Sequence, residues 1–241
     1  MRRAAWLVQI ALLLAGCATA PSVIPKNEHG LEVVQTARLY RALVQEDPTT
    51  VLVPVTRLSP GIQLEVRYAT ADNFMKRQLY PAPAAWLRCE AAVALAAVQR
   101  DLEARGFGLV VFDAYRPYSV TEMMWEGFED PDYVADPAKG SRHNRGAAVD
   151  VSLIDLRTGE HLPTPTGYDD FTERAWQNFT DLPTDALRNR AILREVMERH
   201  GFEALASEWW HFDYGGWEKF DLLNIPHASL DPMPAECGVH D

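Results

Sequence analysis

The sequence predicts a single α+β domain: a mainly antiparallel sheet flanked by helices. Three observations lead there. Strand-like and helix-like segments are mixed without the regular rhythm of a doubly wound parallel sheet. After residue 30 no stretch has the composition of an interdomain linker, and no repeat is visible at solenoid periods. The chain has 241 residues, 47% hydrophobic and 24% charged, which is enough for one large core. That composition excludes a disordered, collagen-like or disulfide-dense chain. With 23 Lys+Arg against 34 Asp+Glu and a net charge of -11, the chain also lacks the basic footprint of a nucleic-acid binder.

Residues 1–16 read as an export signal. Arg2 and Arg3 form the positive start, and Ala4 to Ala15 is an apolar run too short to span a bilayer comfortably. Leu14-Ala15-Gly16-Cys17 resembles the bacterial lipobox, in which the cysteine is lipid-modified and cleavage falls just before it. The expectation is an exported protein anchored to a bacterial membrane through Cys17 and facing the periplasm. Residues 17–30, with Pro21, Pro25 and Gly30, read as a tether, and residues 31–241 as the domain. Export permits a disulfide between Cys89 and Cys237, although sequence does not show that they are close. No Cys-x-x-Cys pair is present, which argues against a thiolate zinc site.

Within the domain, Ile62 to Val66 alternates apolar and polar residues, as a half-buried strand does. A helix is expected over 84–105, with Leu87, Ala91, Leu95, Val98 and Leu102 at helical spacing and Gly106 as its stop. Phe107 to Phe112 reads as a strand, 118–127 as a short helix after Pro117, and Ala147 to Leu153 as a strand. Residues 184–200 read as a helix capped by Thr184 and ended by Gly201, with Ile192, Leu193, Val196 and Met197 as its apolar stripe. Phe202 to Leu205 and Trp209 to Tyr214 read as strands. In a strand, Trp209 and Trp210 would face opposite sides, one to the core and one to a site wall. The tail, with Pro226, Pro232 and Pro234, is expected to wrap the surface.

Two segments carry chemistry: Ser141-Arg142-His143-Asn144-Arg145-Gly146-Ala147-Ala148-Val149-Asp150 and Glu208-Trp209-Trp210-His211. Together they supply two imidazoles and a carboxylate, an accepted catalytic zinc set that leaves a fourth position for water. Glu208, three residues before His211, is the candidate base. The separation of His143 from Asp150 is too long for one turn of helix, but a loop can fold back at Gly146. The same spacing fits a surface histidine and an Asp150 paired with an arginine, and spacing alone leaves both readings open. His29, His161, His200, His227 and His240 read as surface or capping residues. No Gly-rich phosphate loop, Gly-x-Ser-x-Gly or His-Glu-x-x-His is present.

Ser141-x-His143-x-x-Gly146-x-Ala148-x-Asp150 followed by Glu208-x-x-His211 resembles the pattern of zinc D-alanyl-D-alanine dipeptidases, the VanX-like enzymes. These belong to a wider group of peptidoglycan peptidases related to the Hedgehog signalling domain. Tyr68-Ala69-Thr70-x-Asp72-Asn73-Phe74, Asp113-Ala114-Tyr115-Arg116-Pro117, Thr158-Gly159-Glu160 and Tyr168-Asp169 extend the resemblance over residues 60 to 226. It implies one zinc per chain on His143, Asp150 and His211, with Glu208 as general base and acid. It implies that Arg116 stabilises the oxyanion, Tyr68 and Asp169 hold the substrate ammonium, and Ser141 contacts substrate. Without the resemblance these four would read as a structural ion pair, a core tyrosine, a turn aspartate and a loop serine. The implied reaction is hydrolysis of D-Ala-D-Ala in cell-wall peptide turnover. The alternatives are a D,D- or L,D-carboxypeptidase acting on stem peptides and a non-enzymatic zinc-stabilised binding module.

Overall fold

The structure, a computed structural model, describes residues 23–131, 133–230 and 237. The segment read as an export signal, Cys17, His240 and the prolines at 232 and 234 lie outside the described residues. In chain order the elements are Val33–Val34 (β1), Ala37–Glu46 (α1), Leu52–Pro54 (β2), Val55–Leu58 (α2), Gln63–Leu64 (β3), Trp86–Arg88 (β4) and Cys89–Glu103 (α3). Phe107–Asp113 (β5), Tyr118–Gly127 (α4), Ala148–Asp155 (β6), Thr184–Arg199 (α5), Phe202–Ala204 (β7), His211–Tyr214 (β8) and Leu222–Leu223 (β9) follow.

The central sheet runs β3-β5-β6-β8-β7. Its β5-β6, β6-β8 and β8-β7 pairings are antiparallel, and β3 joins β5 in parallel. The sheet is therefore mixed, with the expected antiparallel majority. β5 and β6 are its spine. Their apolar residues Leu109, Val110, Val111, Val149, Val151 and Leu153 are at most 2% exposed and pack with α3 and α5. Two small pairs, β1-β9 parallel and β2-β4 antiparallel, complete the architecture.

Several boundaries differ from those expected. The helix expected from residue 84 begins at Cys89, because Trp86, Leu87 and Arg88 pair as a strand with Pro54, Val53 and Leu52. Leu87 therefore reaches the core from β4 rather than from a helical stripe. The strand at 62–66 contracts to Gln63–Leu64, after which the chain winds into a 3-10 turn at Arg67–Ala69. Thr184 does not cap α5; it is the first helical residue, preceded by Pro183, and no side chain caps that end. The strand expected from Trp209 starts at His211, with Trp209 and Trp210 in the bend before it. Both tryptophans are nearly inaccessible: Trp209 donates from Nε1 to Thr166 Oγ1, and Trp210 lines the cavity described below.

His161 Nε2 lies 2.6 Å from Glu65 Oε1, and His200 Nε2 lies 3.3 Å from Asp101 Oδ2. His227 is not a surface residue. It is buried against Tyr80 and donates from Nε2 to the Tyr115 carbonyl at 2.9 Å. Cys89 and Cys237 form a disulfide with Cα atoms 5.6 Å apart. Ahead of β1, Ile24 packs against the main core and the Val33 amide donates to the Pro25 carbonyl.

Candidate active site

Strand register creates the cluster. Asp150 on β6 lies directly opposite His211 on β8, so the two side chains emerge as cross-strand neighbours. On the other side of β6, an irregularity between Val111 and Asp113 shifts β5 and places Asp113 opposite Asp150. His143 arrives from a 3-10 turn, His143–Arg145, that Gly146 ends at φ +67° in the left-handed region. Leu52 Cδ2 would lie only 2.4 Å from a Cβ at Gly146, so both backbone shape and space call for glycine there.

His143 Nε2 is 3.2 Å from His211 Nδ1 and 3.5 Å from Asp150 Oδ1, and His211 Nδ1 is 3.0 Å from the same oxygen. Ligands about 2.1 Å from a tetrahedral zinc stand about 3.4 Å apart, so this triangle has the size of one face of a zinc tetrahedron. The remaining polar atoms are also arranged for a metal. His143 donates from Nδ1 to the Ala114 carbonyl at 2.7 Å, and His211 donates from Nε2 to Asp213 Oδ1 at 3.0 Å. Each ring thereby turns its other nitrogen inward, the usual orientation of a metal-binding histidine. Tyr168 donates to Asp150 Oδ2 at 2.8 Å. The residues present fit zinc.

Charge follows from this crowding. Burial alone would raise Asp150, but His143 and His211 outweigh it and hold the carboxyl below the usual range. Burial would lower His211, and Asp213 and Asp150 reverse that. Glu208 is 7% exposed, with Oε2 3.8 Å from His211 Nδ1, and burial pushes its carboxyl up to about 7. A carboxylate balanced near neutrality beside a metal triangle can both take and return a proton.

All eight side chains that the sequence singled out for the site line one cavity of about 300 Å³. Besides the triangle and Glu208, Tyr68 donates to Asp169 Oδ1 and Oδ2 at 3.1 and 3.2 Å. Burial and the nearby Asp150 push the Asp169 carboxyl well above its ordinary value. Ser141 Oγ accepts from the His143 amide at 3.2 Å. Arg116 donates from Nε and Nη2 to Asp113 Oδ2 at 3.0 and 2.8 Å while also facing the cavity. The ion-pair and cavity-lining readings of Arg116 thus coexist.

Sequence reasoning assigned no role to Asp213, Tyr168 or Asn144. Asp213 stands two residues after His211 on one strand, hence on the same face, which is a legible signal. Tyr168 adjoins Asp169 but reaches Asp150 across a loop. Asn144 is fully buried: Oδ1 accepts from the Ser141 amide, and Nδ2 donates to the Arg116 carbonyl and to Thr121 Oγ1. It locks the His143 turn to the segment carrying Arg116.

The Peptidase_M15 family profile, described as D-ala-D-ala dipeptidase, matches residues 48–228. A D-alanyl-D-alanine dipeptidase of Escherichia coli (strain K12) is 37% identical over 188 residues, covering 78% of this chain and 91% of the relative. One from Enterococcus faecium is 30% identical over 172 residues, covering 63% of this chain and 85% of the relative. One from Streptomyces coelicolor is 30% identical over 178 residues, covering 66% and 88%.

Proposed function

The chain belongs to the D-ala-D-ala dipeptidase family of M15 peptidases, and from that premise we propose that it hydrolyses D-Ala-D-Ala to two D-alanines in cell-wall peptide turnover, using one zinc per chain. The observation that carries this reading is the inward-facing triangle of His143, Asp150 and His211, with the buried Glu208 beside it in a small cavity. Zinc held there would act as a Lewis acid on the scissile carbonyl and lower the pKa of water to about 7. Glu208 takes a proton from the attacking water and returns it to the amine of the leaving D-alanine. Arg116, held by Asp113, presents its cation to the oxygen that becomes negative. Asp169, with Tyr68, takes the substrate ammonium, supplying the anion that this cation needs. Ser141 Oγ, already accepting from the His143 amide, keeps a proton to donate to substrate.

A cavity of about 300 Å³ lies at the lower end for small-molecule sites. A carboxylate at the amino end suits a free ammonium, which the interior of a stem peptide lacks. Both features favour a dipeptide over a stem. The test is zinc content and amine release on purified soluble protein, with D-Ala-D-Ala, L-Ala-L-Ala and a muropeptide as substrates. The expected result is near-stoichiometric zinc and fast release from D-Ala-D-Ala alone. Comparable cleavage of the muropeptide would replace this reading with the carboxypeptidase, and a zinc-loaded protein that releases nothing would replace it with the binding module.

The second part of the proposal concerns place. Leu14-Ala15-Gly16-Cys17 supports a periplasm-facing lipoprotein. Among the described residues no helix is long and apolar enough to cross a membrane. Cys17→Ser should move the protein from the membrane fraction to the soluble fraction with its specific activity unchanged. Equal membrane retention of the variant would remove the anchor.

A further inference from the structure

Two arginines, Arg116 and Arg142, line the cavity, and only one is neutralised at short range. Arg116 has Asp113 at 2.8 Å, with both side chains buried. Arg142 is half-exposed and lies over the Trp217 ring, 4.8 Å from its centroid. Its ion pair with Asp213 is long, 3.6 Å from Nε to Oδ2, and Asp213 already accepts from His211 through its other oxygen.

The rest of the wall is acidic. Asp150, Asp169 and Glu208 all face the space a substrate would fill. A dipeptide brings a carboxylate as well as an ammonium, and a carboxylate in such surroundings needs a cation. Arg116 is engaged by Asp113 and stands beside Tyr68, at the end that holds Asp169. Arg142 stands at the other end. Sheet order makes this a matter of topology: Tyr68 follows β3, Asp150 is on β6, and Asp213, against which Arg142 rests, is on β8. From β3 to β8 is three strand spacings, roughly 14 Å. An extended dipeptide spans roughly 7 Å, so inward-reaching side chains from both ends meet its termini and leave its middle over the Asp150–His211 pair.

We propose that Arg142 binds the carboxylate of the leaving D-alanine, so that the cavity reads a zwitterion from both ends, ammonium at Asp169 and carboxylate at Arg142. This inference rests on the dipeptidase reading above. It makes Arg142 a specificity determinant: a free carboxylate one residue beyond the scissile bond is preferred over an amide or ester there.

The experiment compares D-Ala-D-Ala with D-Ala-D-alaninamide in wild type, Arg142→Gln and Arg142→Lys, at matched zinc content. A charge-assisted hydrogen-bonded pair corresponds to roughly 10–100-fold in affinity. Wild type should prefer the acid by that factor, mainly in KM. Arg142→Gln should lose the preference while kcat changes by only a few-fold, and Arg142→Lys should recover part of it. Calorimetric binding of the same two compounds in a Glu208→Gln background, with and without Arg142→Gln, should show the same loss without any turnover. An acid-over-amide preference that survives in Arg142→Gln overturns the inference and leaves the dipeptidase reading intact. Equal losses on both compounds, with falling zinc content, would assign Arg142 to steadying Asp213 and also overturn it. A wild type that binds and cleaves neither compound removes the dipeptidase reading, and this inference with it.

Discussion

Glu208 and Arg116 are both buried and ionisable, but they depend on different neighbours, so their variants should fail differently. Glu208 makes no short contact with the ligand triangle; its Oε2 stands 3.8 Å from His211 Nδ1. Glu208→Gln preserves shape and removes the proton acceptor. Zinc content and melting temperature should stay near wild type while turnover falls by at least ~10²–10⁴-fold, because one group serves two proton transfers. Loss of zinc in that variant would make Glu208 a fourth ligand instead. Arg116 is harder to remove cleanly. Arg116→Ala should lower turnover by roughly 10²–10³-fold, the cost of one oxyanion-stabilising donor. It also strands Asp113, only 1% exposed, without its cation, and breaking a buried pair costs about 3–5 kcal/mol. Turnover and denaturation midpoint therefore have to be read on the same preparation. A stable variant with normal turnover would return Arg116 to a purely structural role.

The loop from Ser141 to Gly146 shows why some of the site was legible in the sequence and some was not. His143, the cavity-lining Ser141 and Gly146 stand at fixed spacing in one short segment, so motif reading singled them out. The pairing of β6 with β8 was not read from the sequence, yet it is what sets Asp150 beside His211. Asn144, which joins this loop to Arg116 and Thr121, shares no local pattern with its partners and was invisible for that reason. Element boundaries failed where short strands form only by pairing: Trp86–Arg88 has a helical-looking apolar pattern, and β2 decides the matter. Gly146 is where loop shape and site meet. Gly146→Ala must place a Cβ 2.4 Å from Leu52 Cδ2 and keep a left-handed backbone. Leu52 can shift, but φ +67° cannot be relieved without moving His143, three residues earlier. The expected cost is about 1–3 kcal/mol in denaturation, together with weaker zinc retention against a chelator. Normal zinc retention in Gly146→Ala would show that the turn does not set the position of His143.

The disulfide closes a covalent loop with a sequence separation of 148, and most of the site lies inside it. Cys89 opens α3 and Cys237 is 148 residues further on, so Arg116, His143, Asp150, Asp169, Glu208 and His211 all fall between them. The proposed export permits this bond, but the sequence did not place the two thiols within reach. A cross-link of this span removes unfolded-chain entropy equivalent to about 5 kcal/mol at most, and measured losses on removing native disulfides run about 2–5 kcal/mol. No hydrogen bond or ion pair joins His143, Asp150, Glu208 or His211 to either cysteine, so the effect should fall on stability and not on chemistry. Cys237→Ser should lower the urea midpoint by an amount corresponding to about 2–5 kcal/mol, with kcat on D-Ala-D-Ala and zinc content unchanged under folding conditions. Dithiothreitol should bring wild type down to the variant's midpoint and leave the variant where it is. Such a pair of results fits a protein that matures in an oxidising compartment. Coincident midpoints for oxidised wild type, reduced wild type and Cys237→Ser would show that the cross-link contributes nothing to folding and would deprive the export proposal of this support.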